Sequence, residues 1–550
     1  MRGPSEPLRT SLRRAATFAG LVVLFFLLKR SLLTEPGIWR GWNSDSAIFG
    51  LMANRMRSGA GFDVFFWGQG YLGTLTSALA ALLRAIVLDP LGGGPASGPL
   101  ALRLSCMLQV AFGIGVSFLA IERLFGYGVA LVTGLFLAVS PPLLVQLSAV
   151  PNSGPEMALA LGSILLFLTA DFLARTPALL DRLGIRLLFG LVAGAGLWVN
   201  QTILLVLGPC LVILVLRSRT YAAALDRIHI GERTAGHAAA VRHGRRDAIR
   251  WGLPLTAGLA LGYLPVWLGG LLGWYPPAYM FATSLLPERG WVARLGRFLT
   301  ADGRRLVGLE ESTAGEAVYA VGLAVVALHL VRHRRKLLSL FLLAPSPLGG
   351  TELLAAIVAA GAYLFTLKER LPIQLRYIAP VVPAVLALAG ASALELVRLL
   401  PRKLWRTATG VTVAGAALAG LLVLSGNAER TVMKIRSEAD PRPLLRRIEA
   451  EGYHVCHADY WVAYKLQFLA DERIRFIPWH SFDRNRRESA RLRAESGPQC
   501  LVLPDGTVRP WTASDAADEG GPRRRREAPS PPSPPSMPST PASRDRAPSS

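Results

Sequence analysis

One aspartate in this chain sits where a carboxylate can do acid–base chemistry beside a membrane. Asp45 lies in Asn43-Ser44-Asp45-Ser46, about a dozen residues past an amino-terminal apolar run and at the start of a stretch with helical spacing. Held there by a helix end, it can take a proton from an acceptor hydroxyl. The same position suits a helix N-cap, whose side chain accepts backbone N–H groups, and the residues alone leave both readings open. A second acid, Glu156, follows Gly154-Pro155 at the mouth of a later apolar run. It is either an ionisable group with a functional role or a first-turn acid that complements a helix dipole. Arg376-Tyr377 and Lys368-Glu369-Arg370 flank a further run. Arginines there suit bidentate phosphate binding as well as snorkelling to lipid headgroups. Phe65-Phe66-Trp67-Gly68-Gln69-Gly70-Tyr71-Leu72-Gly73 sets Gln69 and Tyr71 among aromatics and glycines. That composition fits a sugar or lipid contact and equally an interfacial aromatic belt.

Other chemistries find little support. There is no Walker loop, no dinucleotide fingerprint and no Cys/His spacing of zinc type, so neither a cofactor nor a metal is expected. His454, Cys456 and His457 are close in sequence, but strand neighbours point to opposite faces. Cys456 and Cys500 fall in separate expected strands of a polar region, where a disulfide is one reading.

The elements that must position these residues are mostly apolar helices. Of 550 residues, 51% are hydrophobic and 18% charged, with a mean hydropathy of +0.37. Soluble domains carry closer to a quarter charged residues. A net charge of +23 raises the question of nucleic acid. However, the basic residues cluster beside apolar runs, at Arg9–Arg14, Arg242–Arg250, Arg332–Lys336 and Arg402–Arg406, where they orient helices in a bilayer. No nucleic-acid partner is expected. Runs long enough or nearly long enough to cross hydrocarbon occupy 15–33, 101–121, 127–146, 154–174, 184–199, 201–217, 251–273, 315–331, 351–367, 377–399 and 407–425, eleven in all. The first is read as an uncleaved span with Lys29 and Arg30 snorkelling to the far interface.

The run Tyr71–Leu88 carries Arg84 in its middle. If it crossed, the downstream basic loops would face outward, so it is read as juxtamembrane. The amino terminus is then cytoplasmic, the carboxy terminus extracytoplasmic, and 34–100 forms one long outer loop. In that loop Ala47, Ile48, Leu51, Met52 and Met56 have helical spacing. The helix either lies in the interface plane or packs on the bundle. The loop 274–314, with Arg294, Arg297, Arg304 and Arg305, also faces outward and suits something anionic. Residues 1–426 are expected to form the transmembrane domain. Residues 427–515 are expected to form a small α/β extracytoplasmic domain with a parallel sheet. The Pro/Ser/Arg-rich tail 516–550 is expected to be disordered.

Taken in order over residues 15–510, these pieces resemble the GT-C superfamily of integral membrane glycosyltransferases, in particular bacterial members related to protein O-mannosyltransferases and lipid A aminoarabinose transferases. Asp45 fits the acid at the start of the first outer loop. Gly68-Gln69-Gly70-Tyr71-Leu72-Gly73 resembles a "GQ-x-Y-x-G" run, and Ser140-Pro141-Pro142 with Pro155-Glu156 the second outer loop. Gly190–Asn200 with Trp198 is similar to a "G-x-x-x-G-x-x-x-W" helix, and Arg376-Tyr377-x-x-Pro380 to an "R-Y-x-x-P" element. Asp459-Tyr460-Trp461-x-x-Tyr464 matches a carboxy-terminal "D-Y-W-x-x-Y" stretch. Many relatives carry two adjacent acids in the first loop; here Asp45 is followed by Ser46, which weakens a metal-dependent mechanism.

The resemblance implies a multi-pass enzyme of the cell membrane that moves a sugar from a polyprenyl-phosphate-linked donor to a glycan, lipid or protein acceptor. Asp45 and Glu156 would be catalytic, Arg376 and Arg370 would hold the donor phosphate, and Gln69, Tyr71 and Tyr377 would contact substrate. A transporter or flippase of lipid-linked sugars is one rival. The other is a non-catalytic scaffold whose Asp459, Tyr460 and Trp461 form a contact patch.

Overall fold

The computed structural model describes residues 6–34, 37–94, 96–151, 154–175, 178–217, 249, 251–271, 291–309, 313–343, 348–366, 375–401, 403–479 and 483–520. Arg370, the basic segment 218–248, Trp274–Pro277 and nearly all of the expected tail lie outside the described residues.

Apolar helices dominate: α1 Glu6–Lys29, α4 Ser97–Phe125, α5 Tyr127–Val139, α6 Pro142–Ala149, α7 Pro155–Ala174, α8 Leu183–Val199 and α9 Leu204–Arg217. They continue as α10 Trp251–Gly262, α11 Leu264–Leu271, α12 Trp291–Arg297, α13 Gly303–Val307, α14 Thr313–Arg332, α15 Arg334–Phe341, α16 Gly350–Thr366, α17 Val382–Leu399 and α18 Lys403–Ser437. Among the described residues six helices are long and apolar enough to cross a membrane, or up to eight if each bent pair counts as one span. The bent pairs are α5–α6 (57°) and α10–α11 (50°); α8, α9 and α16 are shorter apolar helices. Large apolar side chains stand exposed on α8, α9, α14 and α18, among them Leu187, Leu191, Val215, Val321, Leu328, Val411 and Leu422. A soluble protein does not leave so much apolar surface bare. The chain is a multi-pass membrane protein.

Sequence details explain the bundle's close contacts. A Cβ on Gly190 or Gly194 would come within 2.1 or 2.2 Å of the Leu255 or Leu259 carbonyl. On the facing helix, one on Gly258 or Gly262 would come within 2.1 or 2.2 Å of the Leu187 or Leu191 carbonyl. Small residues four apart on both α8 and α10 thus let the two backbones touch, the usual basis of tight packing in lipid. The break between α5 and α6 falls at Ser140-Pro141, with Ser140 at φ 74°. Lys29 does not snorkel outward as expected. It is buried and donates to the Ala138 and Val139 carbonyls at 3.0 and 3.3 Å, because the orphan carbonyls at the end of α5 attract a cation more strongly than the interface does.

The segment between α1 and α4 holds α2 Ser44–Arg57, the hairpin β1 Phe65–Phe66 and β2 Gln69–Gly73, and α3 Leu75–Leu83. Of its two expected positions, α2 takes the packed one. Every residue from Ala47 to Asn54 is buried, with α3 and α4 on one side and α20 Tyr460–Leu469 on the other. The α3 turn that follows exposes Leu82, Ile86 and Val87, the kind of face a lipid interface covers. Arg84, the residue that argued against a span, is buried and donates to Asn54 Oδ1 at 2.7 Å.

At the carboxy-terminal end a sheet of order β4-β3-β5-β6 is built from β3 Val455–Ala458, β4 Arg475–Pro478, β5 Gln499–Val502 and β6 Val508–Pro510. The first three strands are parallel and β6 is antiparallel. Helices α19 Arg442–Ala450, α20 and α21 Arg486–Arg493 accompany it. Cys456 and Cys500 face each other in register and are disulfide-bonded. The boundary expected at Gly426 falls inside α18, which runs unbroken through it. This segment keeps only a small buried cluster to itself, Val455, Ile477 and Leu492. Trp39, Trp42, Ile48, Met52 and Phe66 of the first loop form one buried cluster with Tyr460, Phe468, Phe476 and Cys456. Each such side chain contributes about 1.5–3 kcal/mol, so the loop and the carboxy-terminal unit stabilise one another.

Candidate functional site

Asn43, not Asp45, caps α2. Its side chain accepts the Ser46 N–H at 2.9 Å, and Asp45 sits in the first turn with its carboxylate released from that task. The segment leading in is fixed from below. Arg103, fully buried in α4, donates to the carbonyls of Gly37 (3.0 Å) and Arg40 (2.7 Å), and Trp42 Nε1 donates to the Ala149 carbonyl at 3.1 Å. The Ser46 hydroxyl shares its donated hydrogen bond between Asn43 Oδ1 (2.9 Å) and the Pro151 carbonyl (3.1 Å). A carboxylate could not make that bond. The turn between α6 and α7 is thereby tied to α2 at the residue next to Asp45.

From the other side comes the carboxy-terminal segment. The Tyr460 hydroxyl donates to Asp45 Oδ1. Arg484 Nε donates to the same hydroxyl at 3.2 Å, Arg484 Nη2 stands 4.0 Å from Asp45 Oδ1, and Arg484 Nη1 reaches the Gly68 carbonyl at 3.5 Å. The Asp45 side chain remains 25% exposed and that of Arg484 22%, so the group is held yet open to solvent. Burial first, and the neighbouring Asp45 carboxylate next among the groups that act with it, push the Tyr460 phenol above its ordinary value, against the opposing Arg484 contact. Tyr460 is therefore a neutral donor at any ordinary pH.

The carboxy-terminal motif becomes intelligible residue by residue. Asp459 caps α20 by accepting the Trp461 N–H, Tyr460 reaches Asp45, and Trp461 is 55% exposed. Tyr464 donates to Asp483 at 3.0 Å and accepts the backbone N–H groups of Arg484 and Asn485, each at 3.1 Å. It thus fixes the loop that carries Arg484. Sequence reasoning missed Arg484 because it sits in an Arg-rich, helix-start stretch with no local signature; only the "D-Y-W-x-x-Y" run pointed near it.

Of the remaining expected residues, those described are linked through packing of neighbouring segments, while Arg370 lies outside the described residues. Gln69 is half-buried and Tyr71 occupies the middle of β2. The hairpin is anchored by a backbone bridge from Leu72 to Asn200 and by Trp198 Nε1 donating to the Val64 carbonyl at 3.0 Å. Gly73 has the Trp198 ring and carbonyl 2.9 Å from where a Cβ would stand, so no larger residue fits there. Asn200 leads to Gln201–Ile203, which packs on the 3-10 segment Leu375–Val381 that carries Arg376 and Tyr377. Helix α7 packs on that segment too. The Arg376 guanidinium lies 5.1 Å over the Tyr377 ring and donates to its hydroxyl at 3.4 Å. Glu156, in the first turn of α7 after Pro155, is fully buried, unlike Asp45. Arg297 and Arg304 are engaged with Asp302 (3.3 Å) and with Glu316.

No protein-family model matches the chain. Nor does any curated protein match it in sequence. Solved structures do match in fold. The crystal structure of ArnT from Cupriavidus metallidurans bound to undecaprenyl phosphate aligns with a TM-score of 0.54 at 15% identity, over 89% of this chain and 93% of that one. The apo state of the same protein aligns equally well, over 90% and 94%. A weaker likeness, TM-score 0.48 at 12% identity, is to archaeal oligosaccharyltransferase AglB from Archaeoglobus fulgidus in complex with an inhibitory peptide and a dolichol-phosphate, over 85% and 64%. The resemblance to the GT-C superfamily read from the motifs therefore stands at the level of fold.

Proposed function

We propose that this chain is a membrane glycosyltransferase that moves a sugar from a polyprenyl-phosphate-linked donor to an extracytoplasmic acceptor, with Asp45 as general base. One observation carries the reading. Asp45 is a carboxylate freed from helix capping, partly exposed, and held where two outer loops meet the carboxy-terminal unit. Its fold neighbour binds undecaprenyl phosphate, which supports a lipid-phosphate donor here.

In this reaction the acceptor oxygen attacks the anomeric carbon as the bond to the phosphate oxygen breaks. Asp45 takes the hydroxyl proton, polyprenyl phosphate leaves, and in-line attack inverts the centre. Tyr460 and Arg484 position the base rather than react. Arg376, with Arg370, would neutralise the charge that grows on the leaving phosphate. Gln69, Tyr71 and Tyr377 would contact donor or acceptor, and Glu156 would act from beneath the surface on their arrangement. The run of eleven spans, an inward amino terminus and an outward unit at 427–515 form the topology this requires.

The test is chemical. A deletion strain should accumulate a polyprenyl-phosphate sugar and lack one envelope glycan by mass spectrometry, and wild-type but not Asp45→Asn protein should restore both. Restoration by the Asn variant at equal membrane abundance refutes the base. No change in lipid-linked sugars on deletion refutes the transferase.

A further inference from the structure

Away from Asp45, at the other end of the bundle, two imidazoles and a carboxylate from separate helices converge. His329 lies in the last turn of α14, His333 follows one turn on, and Glu395 stands near the end of α17. The Leu353-bearing start of α16 completes the surroundings with Thr351 and Glu352. Gly350 there packs on Leu124 and Phe125 at the end of α4, whereas Gly98 at the start of α4 packs beside Phe468. A 29-residue helix spans roughly 40 Å, which separates this cluster from the Asp45 site.

We propose that His329, His333 and Glu395 bind one divalent transition-metal ion, zinc by the nature of the donors. One nitrogen of each imidazole faces the same carboxylate oxygen. His329 Nδ1 is 2.6 Å and His333 Nε2 3.4 Å from Glu395 Oε2, and the three ligand atoms all lie within 4.8 Å of one another. The His329 contact is a close pairing of imidazole and carboxylate. Tetrahedral bonds of about 2.0–2.1 Å put donors about 3.3 Å apart. The His333 contact already has that spacing, and the His329 contact reaches it by a small shift of the glutamate.

The outer contacts are those that orient metal ligands. The opposite nitrogen of each ring is held, His329 Nε2 by the Thr351 hydroxyl at 3.1 Å and His333 Nδ1 by Glu352 Oε1 at 3.1 Å. Glu352 is itself fixed by the Gly349 N–H at 2.7 Å, and Arg332 Nε holds the second Glu395 oxygen at 3.0 Å. An imidazole held by a carboxylate on one nitrogen and offering the other is the recurrent second shell of zinc sites. The rings stand 4.5 Å apart, where two protonated imidazoles repel and one shared cation does not. Sequence spacing did not suggest a metal because Glu395 belongs to another helix. The bound ion would clip the ends of α14, α16 and α17 together.

The test uses full-length protein in detergent, carrying an affinity tag without histidine. After incubation with zinc and desalting, elemental analysis should find one zinc per chain. Cobalt should give a ligand-field spectrum that excess zinc bleaches. His333→Ala and Glu395→Gln should each weaken zinc binding at least as much as loss of an orienting group, and Glu352→Gln by about 10- to 100-fold. Zinc retention by the His333→Ala, Glu395→Gln double variant equal to wild type overturns the site. So does a wild-type protein that retains no zinc and gives no cobalt spectrum, a result that needs no variant to fold. Neither readout depends on glycosyl transfer.

Discussion

Asp45 and Glu156 occupy equivalent places, each an acid in the first turn of a helix, yet the fold treats them oppositely. Asp45 is one-quarter exposed, relieved of capping by Asn43, and held by Tyr460 and Arg484 from more than 400 residues away in the chain. Glu156 is sealed behind Pro155 with no accessible surface. A general base must reach a proton on a bound substrate. A buried acid acts through what it holds in place. The contrast teaches that acidic type and helix-start position nominate candidates, and that access and partners rank them.

The sharpest way to break this ranking is kinetic. With labelled polyprenyl-phosphate sugar and membranes of equal protein content, Asp45→Asn should lower kcat by about 10²- to 10⁴-fold without lowering the melting temperature. Glu156→Gln should cost less turnover and more stability. The reverse pattern would exchange their roles. Next in size is the disulfide, whose loss reaches Asp45's partners but leaves Glu156's surroundings alone. The bond closes a loop with a sequence separation of 44, so replacing both Cys456 and Cys500 by Ser should destabilise the carboxy-terminal unit by about 2–4 kcal/mol, read as early loss of cooperative unfolding by calorimetry.

A smaller effect comes from Gly50, where a Cβ would lie 2.2 Å from the Phe468 ring. Gly50→Ala should cost about 1–3 kcal/mol through overpacking and lower turnover by separating α2 from α20. Unchanged melting and turnover would show that the two regions do not act as one body.

The smallest effect is on alkaline stability. Tyr460 and Tyr464 both have pKa values raised by burial. Their contribution is complete below the unfolded value near 10 and is lost as pH rises through the folded values. Thermal melts between about pH 9 and 11 should therefore fall more steeply for wild type than for the double Phe variant.

Much of the architecture follows from local composition. Helices Pro155–Ala174, Leu183–Val199 and Gly350–Thr366 begin and end close to their apolar runs, because hydrocarbon length and helix rise set that length independently of neighbours. By contrast, α1 starts before its run and α18 extends well past its own. The glycines of α8 and the "D-Y-W-x-x-Y" run were legible only through the family resemblance, not through local periodicity. Composition was less informative about α2. Its apolar spacing fitted a membrane surface and a protein interior equally well, and only the presence of α20 above it decided between them.

The sequence by itself determined a polytopic helical chain, the order of its apolar runs and the nomination of Asp45. Tertiary structure alone decided that Asn43 caps in its place, that Tyr460 and Arg484 meet it, and that His329, His333 and Glu395 share one corner. The physical reason is range. Helix formation and hydrophobic periodicity are interactions among near neighbours in the chain, whereas a site is made by short-range contacts between residues that only packing brings together.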